Sequence, residues 1–175
     1  PRWSLTSIVA GKPQMANFEM PGYEFDRTES RARADWDTLA RLRDVWPGNL
    51  VIKGVLDVED AVALKSAGVD AIQVSSHGSR QLESAPAPIM ILPLIRAAVG
   101  DEVPLFFDSG LQSGEDVLKA FTQGTDFTFF GRVLQFAIAA GGEAGLNRMW
   151  EVLTDELSSA MAQTGLTTLD KGKPS

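Results

Sequence analysis

The chain has 175 residues, 44% of them apolar and 22% charged, and a net charge of −7. That is the profile of one globular domain with a sizeable core, and its acidic balance argues against a nucleic-acid or anionic-membrane surface. Zero cysteines exclude disulfides, thiolate catalysis and cysteine-ligated metals, and a single histidine excludes a histidine-rich metal site. No apolar run is long enough to span a bilayer. Pro1-Arg2-Trp3-Ser4 lacks the charged-then-apolar pattern of a signal peptide, and the missing initial Met suggests a fragment. The composition fits a cytoplasmic protein.

Trp3, Leu5, Ile8 and Val9 recur at helical spacing, and Gly11 and Pro13 end that run. Residues 13–34 read as a loop and as a candidate mobile segment. Asp35 is placed to cap a helix through Trp36, Leu39, Leu42 and Val45, which stops at Pro47-Gly48.

From there strands and helices alternate. Leu50-Val51-Ile52 reads as a strand followed by Lys53-Gly54, and Asp57 opens a helix that Gly68 ends. Ala71 to Val74 is a second, buried strand, followed by a loop holding His77 and Arg80, then a helix from Ala87 to Val99. Val103 to Phe107 is a third strand, followed by Asp108-Ser109-Gly110. Ser113 with Asp116 makes a capping pattern for a helix ending at Gly124. Phe127 to Phe130 is the fourth strand, followed by Gly131-Arg132. Helical patterns then cover Val133 to Ala140 and Ala144 to about Met161, before a frayed tail from Lys171 to Ser175.

Four strand–loop–helix units imply a parallel sheet with right-handed crossovers. No GxGxxG follows a strand, so a dinucleotide-binding fold lacks its fingerprint. A (β/α)8 barrel needs about 200 to 250 residues or more. The expectation is an α/β fold forming the C-terminal half of such a barrel. Half a barrel leaves sheet edges and a core face open, so the N-terminal half is its expected partner. The segments are 1–48 (lead-in), 49–165 (half-barrel) and 166–175 (tail).

In a parallel barrel the strand C-termini converge on one rim, where sites are built. That rim gathers Lys53, Ser75 to Arg80, Asp108 to Gly110, and Gly131-Arg132. Imidazole suits proton transfer, and a guanidinium can hold a carboxylate in a two-pronged hydrogen bond. Gly110, Ser113, Gly114 and Gly131-Arg132 read as a phosphate site, with open backbone N–H groups and one cation. Glu115 and Asp116 at the same helix start would compete with a phosphate if they pointed at it.

Val51-Ile52-Lys53-Gly54, the S-x-H-G-x-R-Q-L stretch from Ser75 to Leu82 with Pro86-Ala87 after it, Asp108-Ser109-Gly110 and Gly131-Arg132 resemble the FMN-dependent α-hydroxy-acid oxidase and dehydrogenase family. The resemblance covers nearly the whole chain, including Pro1-Arg2-Trp3 and Asn17-Phe18 beside the family's variable loop. It implies oxidation of an L-2-hydroxy acid of lactate, glycolate or mandelate type to the 2-oxo acid, with FMN as cofactor. It implies His77 as the catalytic base and Arg80 as the carboxylate clamp, both binding substrate. Lys53 is implied at the flavin N1–O2 edge and Ser75 as a flavin contact. Asp108, Ser109, Gly110, Leu111 and Gln112 are implied at the ribityl and phosphate, with Gly131 and Arg132 completing the phosphate site. A homo-oligomer, a tetramer by family resemblance, and a cytoplasmic or membrane-peripheral location follow in the same way.

Three positions depart from the family. Gln112 replaces arginine, which removes one phosphate charge. Ser76 replaces asparagine, and Ser79 replaces glycine or alanine. The family's two tyrosines, its histidine-orienting aspartate and its second arginine are expected in the other half. The only tyrosine here, Tyr23, is assigned no role. Two other readings stay open: another FMN barrel oxidoreductase, and a non-catalytic half-barrel that binds a phosphate ligand or a partner chain.

Overall fold

The computed structural model describes residues 35–80 and 82–169. The N-terminal helical pattern, the loop at 13–34, Tyr23, Gln81 and the tail from Lys171 lie outside the described residues. The chain divides into two compact units, Pro1–Arg41 and Leu42–Ser175. Helix α1 (Trp36–Val45) spans the boundary between them. Asp35 caps it as expected, accepting from the Thr38 N–H at 2.8 Å.

The second unit is built on four parallel strands in the order β1 (Val51–Val55), β2 (Ala71–Val74), β3 (Leu105–Phe107) and β4 (Phe127–Thr128). Between them run helices α2 (Val58–Ser66), α3 (Pro88–Val99) and α4 (Gly114–Thr122), and α5 (Arg132–Thr164) follows β4. This is the partial barrel that the alternation predicts. The helix starts are local events. Asp57 accepts from the Glu59 and Asp60 N–H groups at 2.8 and 3.0 Å. Pro88 occupies the first turn of α3, where its missing N–H costs nothing. Ser113 accepts from the Asp116 N–H at 3.2 Å. α5 is interrupted at Gly141-Gly142, whose backbone is non-helical, so it comprises the two expected C-terminal helices on either side of a kink.

Strand ends moved relative to the sequence expectation, because a strand lasts only as long as its neighbour offers a ladder. β1 runs on through Lys53-Gly54 to Val55, with a bulge between Lys53 and Val55. β3 starts at Leu105 rather than Val103, since Pro104 has no N–H to offer. β4 ends at Thr128, although the Phe129 N–H still reaches the Phe107 carbonyl at 2.9 Å.

Period-2 alternation divides the sheet into two faces. Ile72, Val74, Leu105 and Phe107 are fully buried with Leu92, Ile95 and Val99 of α3. The other face carries Lys53, Gln73, Phe106 and Phe127 in one register layer. There Phe106, Phe127 and Phe129 meet edge to face with centroids 5.1–6.2 Å apart, while Phe127 and Phe129 stay exposed.

Two arginine–aspartate clamps fasten the N-terminal ends of the strands. Asp70 accepts from Arg43 Nη1 at 2.8 Å and from the Leu50 N–H at 2.7 Å. Arg96 donates to the carbonyls of Gly100, Val103 and Gly124 and to Asp126 Oδ2, which also accepts from the Leu105 N–H. With this end tied down, the opposite rim is left for loops and polar side chains.

Candidate active site

The β1 bulge starts the site. Gly54 sits at φ +98°, which L side chains rarely adopt. A Cβ there would lie 3.2 Å from His77 Nδ1 and 3.4 Å from Nε2, and would overlap Cε1 outright. The imidazole therefore rests directly on the glycine backbone of the neighbouring strand.

His77 itself lies on a short turn, His77–Ser79, whose three residues have φ of 55°, 68° and 59°. Two of the three are not glycine, so the turn is strained. Its N–H groups are held by two serine hydroxyls. Ser75 Oγ accepts from the His77 N–H at 3.0 Å. Ser109 Oγ accepts from the Ser76 and Gly78 N–H groups at 3.2 and 3.1 Å.

Beneath the turn, Asp108 gathers four donors. Gln73 Nε2 and Lys53 Nζ reach Oδ2 at 2.6 and 3.2 Å, and the Ser75 and Ser109 hydroxyls donate to Oδ1 at 2.5 and 2.6 Å. Lys53 Nζ also donates to Ser75 Oγ at 2.9 Å. Burial works to raise the Asp108 carboxyl, but Ser109, Ser75 and Lys53 outweigh it and hold the group below the ordinary carboxylate range. A carboxylate offers about four lone-pair sites, so this one is saturated by protein.

A cavity of about 470 Å³ opens above this network. It is lined by Lys53, His77, Gly78, Arg80, Asp108 to Gln112, Phe129 to Arg132, and Gln135. Every site residue that the family resemblance implies lines it except Ser75, which is fully buried beneath. Lys53 keeps 41% of its side chain exposed. A Cβ at Gly110 or Gly131 would meet nothing within 4 Å, so their backbones face open space. Arg132 Nη2 reaches across to within 3.8 Å of where a Gly78 Cβ would stand.

The phosphate reading needs correction at the start of α4. The Gly114 N–H donates to Glu156 Oε2 at 2.8 Å, so it is not an open anion donor. The Gln112 N–H is taken by Asp116 Oδ2 at 3.0 Å, and Ser113 Oγ by the cap. Neither Ser113 nor Gly114 lines the cavity. Burial works to raise the Asp116 carboxyl, yet the Gln112 N–H, Ser113 and Lys119 lower it overall. Asp116 is thus engaged with its own helix start. The anion-ready groups narrow to Gly110, Gly131 and Arg132.

Sequence reasoning missed Gly54, Gln73, Phe129, Phe130 and Gln135. For Gln73 there was a signal: one amide-bearing residue inside the otherwise apolar Ala71 to Val74 strand. Among the described residues, no group of three or more His, Asp or Glu side chains could hold a metal.

The whole chain, residues 1–175, matches the family described as FMN-dependent dehydrogenase. It is 35% identical over 182 residues to (S)-mandelate dehydrogenase of Pseudomonas putida, covering 99% of this chain and 46% of that protein. It is 43% identical over 131 residues to L-lactate dehydrogenase of Caulobacter vibrioides strain NA1000 / CB15N, covering 75% of this chain and 34% of that one. The solved structure of the monotopic membrane protein (S)-mandelate dehydrogenase superposes with a TM-score of 0.87 at 34% identity, over 99% of this chain and 48% of that one. The chain thus spans less than half the length of these relatives. With the family match extending over all 175 residues, the chain belongs to the FMN-dependent dehydrogenase family.

Proposed function

We propose that this chain supplies the base, the carboxylate clamp and the phosphate seat of an FMN-dependent 2-hydroxy-acid dehydrogenase or oxidase. The whole protein would oxidise an L-2-hydroxy acid of lactate, glycolate or mandelate type to the 2-oxo acid. One observation carries the reading: His77, Arg80, Lys53 and Arg132 line a single cavity at the C-terminal rim of a parallel sheet.

The residues present fit FMN. Gly110 and Gly131 leave their backbones open, Arg132 adds a cation, and Asp108, the one carboxylate among the described residues lining the cavity, has its charge engaged by protein donors. The volume lies within the range for cofactor sites, roughly 300–1,000 Å³. When bound, FMN supplies the two-electron acceptor. Lys53, steadied by Ser75 and Asp108, places positive charge on the cavity wall. Arg80 pairs with the substrate carboxylate through its planar fork. His77, seated on Gly54, takes a proton from the substrate held by Arg80. With Gln112 neutral, Arg132 carries the phosphate charge.

The reading extends to segments 1–48, 49–165 and 166–175 as lead-in, half-barrel and tail. It includes pairing with the other half of the barrel and a homo-oligomer. Among the described residues, no helix is long and apolar enough to cross a membrane, which is compatible with a cytoplasmic or membrane-peripheral protein. No nucleic-acid partner is proposed.

The test is anaerobic stopped-flow bleaching of the flavin band by L-lactate and L-mandelate. His77→Gln keeps the flavin but slows bleaching by about 10²- to 10⁴-fold, the usual cost of losing a general base. Bleaching at the parent rate would remove His77 as the base and with it the hydroxy-acid reading.

A further inference from the structure

The His77 turn holds three consecutive residues in the left-handed region, two of them non-glycine. Such backbone persists only where its surroundings over-determine it. Ser109, across the sheet on β3's loop, is itself a non-glycine residue at φ +80°. Two strained segments therefore face each other, and one hydroxyl joins them.

A serine hydroxyl has one donor and two acceptor sites. Ser109 Oγ gives its proton to Asp108 Oδ1 at 2.6 Å and accepts from Ser76 N–H at 3.2 Å and Gly78 N–H at 3.1 Å. Its hydrogen-bonding capacity is used up by protein, so it has none left for a ligand. The amides it holds flank His77 on both sides. Asp108 anchors the hydroxyl from below, and Gln73 and Lys53 hold the other carboxylate oxygen.

We propose that, in place of the flavin contact the resemblance implies for it, Ser109 is a positioning residue for the base: its hydroxyl latches the strained His77 turn to Asp108. This rests on the reading of His77 as the base. The latch fixes the backbone on either side of the imidazole, while Gly54 limits where the ring lies.

The test compares Ser109→Ala and Ser109→Gly in the flavin-loaded protein. Alanine keeps the positive-φ strain and loses the hydroxyl. Glycine loses the hydroxyl and relieves the strain, so it guards against a variant that merely folds poorly. Three quantities are read: amide hydrogen exchange at Ser76 and Gly78, FMN affinity, and the rate of flavin reduction by L-lactate and L-mandelate split into binding and rate constants. Both variants should speed exchange at Ser76 and Gly78 about 3- to 10-fold, the equivalent of one ordinary hydrogen bond. The His77 amide, held by Ser75 at 3.0 Å, stays protected as the internal control. FMN affinity stays at the parent value, and the reduction rate constant falls about 10- to 100-fold through misplacement of the base.

The proposal is overturned if exchange at Ser76 and Gly78 is unchanged. It is also overturned if FMN affinity falls as far as the rate, since Ser109 would then be a flavin ligand, or if either variant reduces flavin at the parent rate. His77→Gln run alongside separates the two failures. Parent-rate bleaching in that variant overturns the base itself, whereas unchanged exchange in Ser109→Ala overturns the latch.

Discussion

Gly54→Ala perturbs the site without replacing a titratable residue. Two costs follow from the geometry. An L residue at φ +98° carries a backbone strain of about 1–3 kcal/mol. The new methyl would also overlap His77 Cε1 while standing 3.2 and 3.4 Å from the ring nitrogens. Restoring an ordinary carbon–carbon separation of about 3.5 Å moves the ring by roughly 1 Å. A shift of about 1 Å at a reacting group costs on the order of 10²-fold in rate, or about 2.7 kcal/mol of barrier. Stopped-flow flavin reduction reads the second cost, and a double-mutant cycle separates it from the first. In a His77→Ala background the methyl has no ring to meet, so Gly54→Ala should cost only the backbone strain. The coupling between the two substitutions in thermal unfolding should be about 0.5–3 kcal/mol. Equal destabilisation in both backgrounds, with flavin reduced at the parent rate, would refute the claim that Gly54 seats the base.

Gln112→Arg should tighten FMN binding by roughly 0.5–2 kcal/mol by adding a charge-assisted partner for the phosphate; a flavin titration showing equal or weaker affinity would remove that assignment. Arg80→Lys keeps the charge but loses the planar fork, so it should raise KM far more than it lowers kcat, which steady-state kinetics across lactate, glycolate and mandelate reads directly. Arg96→Met withdraws one partner of Asp126, which keeps the Leu105 N–H, and the donors to the Gly100, Val103 and Gly124 carbonyls; it should cost about 1–3 kcal/mol of stability, seen as a lower Tm with an unaltered flavin spectrum. The Asp108 carboxyl is depressed in the folded protein, so its contribution is present above the ordinary carboxylate pKa of about 3.9 and is lost as pH falls through the lower folded value. Melting curves against pH should show that acid loss, and Asp108→Asn should flatten it.

Much of the architecture was legible in the sequence because its causes are local. Asp57, Ser113 and the glycines after each helix act within a few residues of themselves, so spacing alone reveals them. The period-2 and helical patterns set the strand–helix alternation, and parallel strands then oblige Lys53, His77, Arg80, Asp108 and Arg132 to share one rim. What needed the tertiary structure is everything decided between segments distant along the chain. Glu156 takes the Gly114 N–H from 42 residues away, so an amide that reads as an anion donor is not one. Gln73 lies 35 residues from the Asp108 carboxylate it binds, and nothing in either segment announces the pairing. Gly54 reads in sequence only as part of the Lys53-Gly54 step after a strand, and the approach of the His77 ring gives the missing side chain a purpose. Capping and periodicity are short-range hydrogen bonding and steric preference, whereas which donor reaches which acceptor across the sheet depends on register and bulge, and those exist only once the strands have paired.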